Sequence, residues 1–285
     1  MTTIRHTWTH ARDRLTAVST SPALDAQVLL ADVVGADNRA YLLAHPERVL
    51  TPEEQAQYEA NITRRLAGEP VAYIRGFKDW YDRQILVTPD VLIPRPETEL
   101  LLEAALERTA TQPDALAADI CTGSGAIAVT LKANAPRATV YGTDISGAAL
   151  AVAQRNAHAA NVDVTWLEGD LLAPLLERDL CVDILAANPP YITTDEMHTL
   201  DVAAYEPHLA LDGGPDGLDF VRRLLADAPR VLNPGALVLI EIGAGQGAQT
   251  LALAEELLHP AHAEIVPDYA GLDRFLRAVM PSSGS

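Results

Sequence analysis

From about residue 97 onward, short apolar runs alternate with segments whose apolar residues recur at helical spacing. The apolar runs are Ala117–Ile120, Val140–Gly142, Val162–Leu167, Val182–Ala187 and Ala236–Ile242. The helix-like segments are Glu97–Ala110, Ala126–Ala133, Gly147–Ala159, Leu218–Leu232 and Gly247–Leu258. Strands that alternate with helices form a parallel sheet with helices on both faces. The pattern therefore predicts a doubly wound α/β domain, with Ala263–Val266 and Phe275–Val279 as a possible terminal pair of strands.

The part of the chain before about residue 70 shows helical spacing and no strand alternation. Ser21-Pro22 combines a capping residue with a proline at the first helical position, and Thr51 with Glu54 fits a capping box. These signals predict a small helical bundle.

The composition changes between these two regions. Residues 76–96 include several aromatic residues and prolines, which favours a linker. A short β-hairpin is expected around Trp80–Val87. We therefore predict a helical domain over residues 1–75, a linker over 76–96 and an α/β domain over 97–285.

Charge and composition narrow the function. The formal net charge is −18, nearly all of it after residue 80, and the chain has no basic run. A nucleic-acid binder needs a basic face to neutralise phosphates, so we expect no direct nucleic-acid partner. Neither the two cysteines nor the scattered histidines have metal-ligand spacing, so no metal is expected. With no signal peptide and no long apolar stretch, a cytoplasmic protein without a membrane segment is predicted.

A glycine-rich loop joins the first predicted strand of the α/β domain to a helix. It reads Asp119-Ile120-Cys121-Thr122-Gly123-Ser124-Gly125-Ala126. Glycines permit tight turns and close backbone approach, and the helix start offers free N–H groups. The same spacing fits a dinucleotide site, so the loop alone indicates only an adenosine-type cofactor.

Two acidic residues follow later strands. Asp144 lies where a carboxylate can accept hydrogen bonds from both hydroxyls of a ribose, although it could instead cap the next helix. Asp170 follows Gly169 after the third strand, where it or its neighbour could meet an adenine; a purely structural role is nearly as plausible. Asp119 is expected to shape the loop or to face a cationic cofactor end.

The most informative motif, Asn188-Pro189-Pro190-Tyr191, directly follows the fourth strand. An amide or exocyclic amine nitrogen is a poor nucleophile because its lone pair is delocalised. The Asn188 side-chain oxygen and the Pro189 carbonyl can accept its two N–H groups, and Tyr191 offers a flat face for stacking. In this position the motif indicates methyl transfer to a planar nitrogen; a rigid turn with a packed tyrosine is the simpler alternative.

These motifs resemble those of the PrmC/HemK family of peptide chain release factor glutamine methyltransferases. The resemblance covers nearly the whole chain. Its specific blocks are Leu92-Ile93-Pro94-Arg95-Pro96-Glu97-Thr98-Glu99 and Leu211-Asp212-Gly213-Gly214-Pro215-Asp216-Gly217-Leu218, whereas the tetrapeptide is shared with nucleic-acid methyltransferases. It implies a seven-stranded, Rossmann-like class I methyltransferase domain and a small N-terminal helical bundle domain that binds the release factor.

The resemblance also implies the ligands and their residues. The cofactor would be S-adenosylmethionine, with S-adenosylhomocysteine as product, and the substrate the glutamine of the Gly-Gly-Gln loop of class 1 release factors. The residues expected to contact the cofactor are Cys121, Thr122, Gly123, Ser124, Gly125, Asp144, Leu171 and Asn188. Asp170, which the strand pattern indicates, is added to them. The substrate falls on Asn188, Pro189, Pro190 and Tyr191, with Asn188, Pro189 and Tyr191 as catalytic residues.

Two positions are ambiguous at this level. Many relatives have glycine where this chain has Cys121; we expect an ordinary strand-end residue there rather than a strained one with positive φ. Arg95 could contact the substrate loop or brace the catalytic loop, or it could form a weak surface ion pair with Glu97 or Glu99.

Other functions remain open from the sequence. A ribosomal-protein glutamine methyltransferase would use the same chemistry, and a nucleic-acid exocyclic-amine methyltransferase would use the same tetrapeptide. A nicotinamide-dependent dehydrogenase would share only the glycine loop. We expect a monomer.

Overall fold

The computed structural model describes residues 2–197 and 199–282, so the last three residues of the predicted 97–285 domain lie outside it. The chain divides into two compact units, Met1–Phe77 and Lys78–Ser285. Most of the predicted linker 76–96 therefore belongs to the second unit.

The first unit is helical, as expected. Its helices are α1 (Ile4–Leu15), α2 (Pro22–Val33), α3 (Ala40–Ala44), α4 (Pro52–Leu66) and α5 (Val71–Arg75). The predicted capping box of Thr51 and Glu54 is present at the start of α4, whereas the Ser21 side chain makes no capping bond to α2. The helices enclose an apolar core in which the Tyr58 hydroxyl donates to the Ala26 carbonyl over 2.9 Å.

The second unit begins with the predicted hairpin, formed by β1 (Phe77–Trp80) and β2 (Arg83–Leu86). Its other strands are β3 (Leu116–Ile120), β4 (Thr139–Asp144), β5 (Thr165–Glu168), β6 (Val182–Ala187), β7 (Leu232–Glu241), β8 (His262–Pro267) and β9 (Asp273–Val279). Its helices are α6 (Thr98–Thr111), α7 (Ala126–Asn134), α8 (Gly147–Ala159), α9 (Ala173–Leu176), α10 (Thr194–Met197), α11 (Asp219–Asp227) and α12 (Gly247–Leu257).

The seven-stranded sheet has the order β5-β4-β3-β6-β7-β9-β8. Strands β3 to β7 run parallel, and β9 pairs antiparallel with both β7 and β8. The central strands are apolar and buried because helices cover both faces of a parallel sheet. This confirms the predicted α/β fold with a small helical N-terminal region.

The predicted end of one helix is wrong. The helix expected over Leu218–Leu232 ends at Asp227, and a short 3₁₀ turn over Ala228–Arg230 follows it. Proline has no N–H to donate and clashes with the preceding turn, so Pro229 ends the regular helix. The chain can then enter β7 at Leu232, which pairs with Val182 of β6.

Among the described helices, none is long and apolar enough to cross a membrane.

The first unit offers a test of its core. Ile62 in α4 is fully buried, whereas Leu43 in α3 is 65% exposed. Ile62→Ala should lower the free energy of unfolding by about 2–5 kcal/mol, because it removes buried methyl groups and leaves a cavity. Leu43→Ala should change it by less than about 0.5 kcal/mol. Urea unfolding followed by circular dichroism measures both values, and equal effects would contradict this assignment of the core.

Candidate active site

Three loops meet at the carboxyl edge of the sheet. They follow the neighbouring strands β3, β4 and β6 and contain Cys121–Gly125, Asp144–Ser146 and Asn188–Tyr191. Ile120, the last residue of β3, is in register with both Thr143 and Ala187, so the three loops leave the sheet at nearly one level. Ligands bind in this position in open α/β sheets.

A cavity of about 300 Å³ lies between these loops. Its lining contains most of the residues predicted for the site, namely Cys121, Thr122, Gly123, Ser124, Asp144, Asp170, Leu171, Asn188 and Pro190. Gly125, Pro189, Tyr191 and Arg95 are not among the residues that line it.

A buried carboxylate supports the glycine loop from below. Asp119 Oδ2 accepts hydrogen bonds from the Thr122 hydroxyl at 2.5 Å and from the Ala128 N–H, in the first turn of α7, at 3.1 Å. Gly125 has a φ of +76°, and a Cβ there would lie 2.9 Å from Ala153 Cβ in α8. A side chain at this position would therefore push the loop away from α8.

Cys121 does not have the ordinary strand-end conformation that we expected. Its φ is +57°, in the left-handed region that favours glycine. The strand ends at Ile120, and this turn directs the chain so that the Thr122 N–H donates to the Thr143 carbonyl of β4. Burial raises the pKa of the Cys121 thiol, which therefore stays protonated.

Asp144 borders the cavity and does not cap the following helix. Its Oδ2 accepts from the Gly123 N–H at 2.8 Å and its Oδ1 from the Ser146 N–H at 2.9 Å, whereas Ser146 caps α8 through its own hydroxyl. A carboxylate oxygen has two lone pairs, so both oxygens can accept another hydrogen bond from a ligand. Burial raises the pKa of Asp144 in spite of these bonds.

The far end of the cavity contains residues that the sequence did not indicate. Arg223 of α11 forms an ion pair with Asp170, and its guanidinium carbon lies 5.8 Å from the ring centre of Phe220. Both α11 residues line the cavity. Leu171 has a φ of +48°, and its carbonyl accepts from the Thr143 hydroxyl at 3.2 Å. Phe220 and Arg223 are three residues apart and therefore lie on one face of α11. This spacing could have indicated a shared site, but the same spacing is common in helices that have no functional role.

Both ends of the tetrapeptide are held by side chains from other elements. Asn188 Nδ2 donates to the Thr98 hydroxyl at 3.2 Å, and the Tyr191 hydroxyl donates to Glu241 Oε1 at 3.3 Å. The Tyr191 carbonyl accepts from Gln246 Nε2 at 3.0 Å. Burial raises the pKa of Tyr191, so its hydroxyl remains a donor at neutral pH.

The Asp-Gly-Gly block packs against the back of the tetrapeptide. The Gly213 N–H donates to the Ile192 carbonyl at 2.7 Å, and the Ile192 N–H donates to the Leu211 carbonyl at 3.0 Å. A Cβ on Gly213 would lie 2.7 Å from Tyr191 Cα and 2.8 Å from the Pro190 carbonyl oxygen. Only glycine permits this approach.

Arg95 forms an ion pair with a buried carboxylate. Its guanidinium lies 2.7 Å from Glu206 Oε1, and the Glu206 side chain is 1% exposed. Glu206 Oε2 also accepts from the Ile93 N–H at 3.2 Å, and the Arg95 carbonyl accepts from Trp80 Nε1 at 2.8 Å. The alternative of a surface pair with Glu97 or Glu99 is wrong. The sequence singles out Glu206 but does not pair it with Arg95, because more than a hundred residues separate the two.

No cluster of three or more metal-ligating side chains occurs in the described part of the chain.

Comparisons with known proteins agree with this geometry. Residues 6–76 match the family described as PrmC N-terminal domain, and residues 96–205 match the family described as methyltransferase small domain. A protein from Moorella thermoacetica named release factor glutamine methyltransferase is 47% identical over 89% of this chain and 89% of its own length. A protein of the same name from Koribacter versatilis is 39% identical over 99% of this chain and 100% of its own length.

Among solved structures, the crystal structure of a methyltransferase from Pyrococcus furiosus is similar to this chain. It has a TM-score of 0.50 and 18% identity, and the match covers 81% of this chain and 100% of that one. This likeness supports the methyltransferase fold.

Asp119 provides a test of the electrostatics under the glycine loop. Burial raises its pKa to about 7, although its hydrogen bonds to Thr122 and Ala128 lower it. Because the pKa is higher in the folded chain than the value of about 3.9 in the unfolded chain, its contribution to stability is complete below about pH 4 and is lost as the pH rises through about 7. Asparagine does not titrate, so the free energy of unfolding of Asp119→Asn relative to the wild type should rise by about 3 kcal/mol between about pH 5 and pH 8.

Chemical denaturation of both proteins at the two pH values measures this difference. The exposed Asp163 supplies the control, and Asp163→Asn should show no such trend. A difference for Asp119→Asn that is the same at both pH values would show that the pKa is not raised.

Proposed function

The chain belongs to the release factor glutamine methyltransferase family, and we propose that it methylates the glutamine of the Gly-Gly-Gln loop in class 1 peptide chain release factors. The methyl group of S-adenosylmethionine is transferred to the side-chain amide nitrogen, which releases one of its two protons, and S-adenosylhomocysteine is the other product. The observation that carries this proposal is the position of the Asn188 side chain. Asn188 lines the cavity and its Nδ2 donates to the Thr98 hydroxyl, so its Oδ1 can accept a hydrogen bond from a substrate.

The cavity fits the proposed cofactor. The Asp144 carboxylate has lone pairs for two ribose hydroxyls, and the backbone of Cys121–Gly125 passes close to the cavity because Gly123 and Gly125 turn sharply. Leu171 and Asp170 lie at the end where an adenine would bind, and Phe220 adds an aromatic face there. When it is bound, the cofactor supplies an electrophilic methyl group on a positively charged sulfur.

The tetrapeptide then acts on the nitrogen. Asn188 Oδ1 and the Pro189 carbonyl accept the two amide N–H groups, which orients the nitrogen towards the methyl group and stabilises the positive charge that develops on it. The ring of Tyr191 flanks the planar amide. Pro190 has no N–H, so it places no competing donor in this stretch.

Arg95 has a positioning role in this proposal. Its ion pair with the buried Glu206 fixes the segment before α6 against residues 206–210, several of which line the cavity. The helical domain of residues 1–75 is proposed to bind the release factor. A monomeric state and a cytoplasmic location stay predictions.

The rival functions have less support. A nucleic-acid amine methyltransferase would need a basic face, but the net charge is −18. A ribosomal-protein glutamine methyltransferase shares the chemistry, but the relatives reported above are named for release factors. A dehydrogenase would leave the tetrapeptide without a role.

Methyl transfer to purified release factor is the direct test. With isotopically labelled S-adenosylmethionine, peptide mass spectrometry should place the label on the glutamine of the Gly-Gly-Gln loop, and a release factor with alanine in that position should stay unlabelled. Label on another residue, or on ribosomal protein, DNA or rRNA but not on release factor, would overturn the proposal.

Asn188→Ala tests the role of the tetrapeptide. Removal of the amide oxygen should lower kcat by about 100-fold or more, because the nitrogen is no longer oriented. Cofactor affinity, measured by calorimetry with S-adenosylhomocysteine, should change by less than about 5-fold. Complete loss of cofactor binding would show that Asn188 acts mainly on the cofactor.

A further inference from the structure

Two buried polar side chains, Thr98 and Glu241, contact the tetrapeptide, and the mechanism above uses only the bond between Thr98 and Asn188. Asn188 Nδ2 donates to Thr98 Oγ1 at 3.2 Å. The Thr98 side chain also lies beside the Glu241 carboxyl group and favours its ionised form. The Tyr191 hydroxyl donates to Glu241 Oε1 at 3.3 Å. Thr98 is 4% exposed and Glu241 is fully buried. One carboxyl group thus contacts Tyr191 directly and Asn188 through one hydroxyl.

The direction of each hydrogen bond follows from counting protons. An ionised carboxylate can only accept, and a threonine hydroxyl has a single proton to donate. If Thr98 donates that proton to Glu241, its oxygen can only accept from Asn188. The Asn188 amide must then present Nδ2 to Thr98, which directs Oδ1 to the opposite side.

This orientation matters because the two ends of an asparagine amide have nearly the same shape. A rotation of 180° about the last side-chain bond exchanges Oδ1 and Nδ2 at little steric cost. With Nδ2 turned towards the substrate, Asn188 would offer a donor to an amide that also donates, and the nitrogen would lose one of its two acceptors.

We propose that Thr98 and Glu241 are positioning residues that fix the amide orientation of Asn188, so that Oδ1 and not Nδ2 faces the nitrogen that is methylated. This inference rests on the function proposed above. Glu241 fixes the other end of the tetrapeptide at the same time, because the Tyr191 hydroxyl donates its only proton to the same carboxyl group.

The surroundings of Glu241 define the conditions of the test. Burial raises the pKa of Glu241 to about 7, and Glu97 adds to this rise. Thr98, Arg274 of β9 and the Tyr191 hydroxyl oppose it by favouring the ionised carboxylate. Arg274 is also paired with Asp268 at 2.9 Å. Assays at about pH 8.5 therefore examine the form of Glu241 that accepts hydrogen bonds only.

Thr98→Val and Thr98→Ser form a matched pair. Valine keeps the shape of threonine but has no hydroxyl, whereas serine keeps the hydroxyl and loses a methyl group. We expect Thr98→Val to lower kcat by about 10- to 100-fold with KM for both substrates within about 3-fold, because the amide is misoriented rather than absent. Thr98→Ser should retain kcat within about 3-fold of the wild type. Thermal unfolding and binding of S-adenosylhomocysteine check that the variants are folded.

Glu241→Gln gives a second, nearly isosteric variant that does not depend on Thr98→Val being folded. Its new amide N–H groups can donate to Thr98, which reverses these hydrogen bonds, so kcat should again fall by about 10- to 100-fold. If Glu241→Gln and Thr98→Ser both keep wild-type kcat, or if Thr98→Val and Thr98→Ser lose it equally, the inference is wrong.

A double-mutant cycle separates positioning from general stability. In an Asn188→Ala background there is no amide to orient, so Thr98→Val should have no further effect on the residual rate. Additive effects would show that Thr98 acts independently of Asn188. A failure of the proposed function is recognised separately, because the wild-type enzyme would then leave release factor unmethylated.

Discussion

The position of β3 between two parallel partners is the constraint on which the catalytic edge depends. Ile120 pairs with Thr143 on one side and with Ala187 on the other, so three strands end at the same level. The loops that follow them have to share one crevice, whatever their sequences are. A glycine-rich turn, an acid and a tetrapeptide that are far apart in the chain therefore surround one cavity. The sheet supplies the proximity, and the loops supply the chemistry.

Buried acids support two of these loops and the segment before α6. Asp119 holds the glycine loop, Glu241 holds Tyr191, and Glu206 holds the segment before α6. A buried carboxyl group is costly unless hydrogen bonds or a cation compensate for the loss of water. The raised pKa values of Asp119 and Glu241, both about 7, show that this compensation is incomplete.

The same arrangement explains why the family is recognised by blocks outside the tetrapeptide. The block around Arg95 contributes Arg95 and Thr98, which contact Glu206 and Asn188. The block around Gly213 packs on the backbone of the catalytic loop at a distance that excludes any side chain. The tetrapeptide alone does not distinguish between substrate classes, whereas these two blocks belong to the particular segments that cross this edge of the sheet.

The sequence by itself determined the alternation of strands and helices, the division between a helical and an α/β region, and the loops that carry Gly123, Asp144 and Asn188. These features follow from local rules, namely the period of apolar residues and the chemistry of turns and caps. Only the tertiary structure decided which partners meet across the chain, such as Glu206 with Arg95 and Glu241 with Tyr191. It also decided local conformations that packing imposes, as at Cys121, where the expectation of an ordinary strand end was wrong. A carboxylate in a sequence carries no sign of its partner, because the partner is selected by the register of strands and the course of loops many residues away.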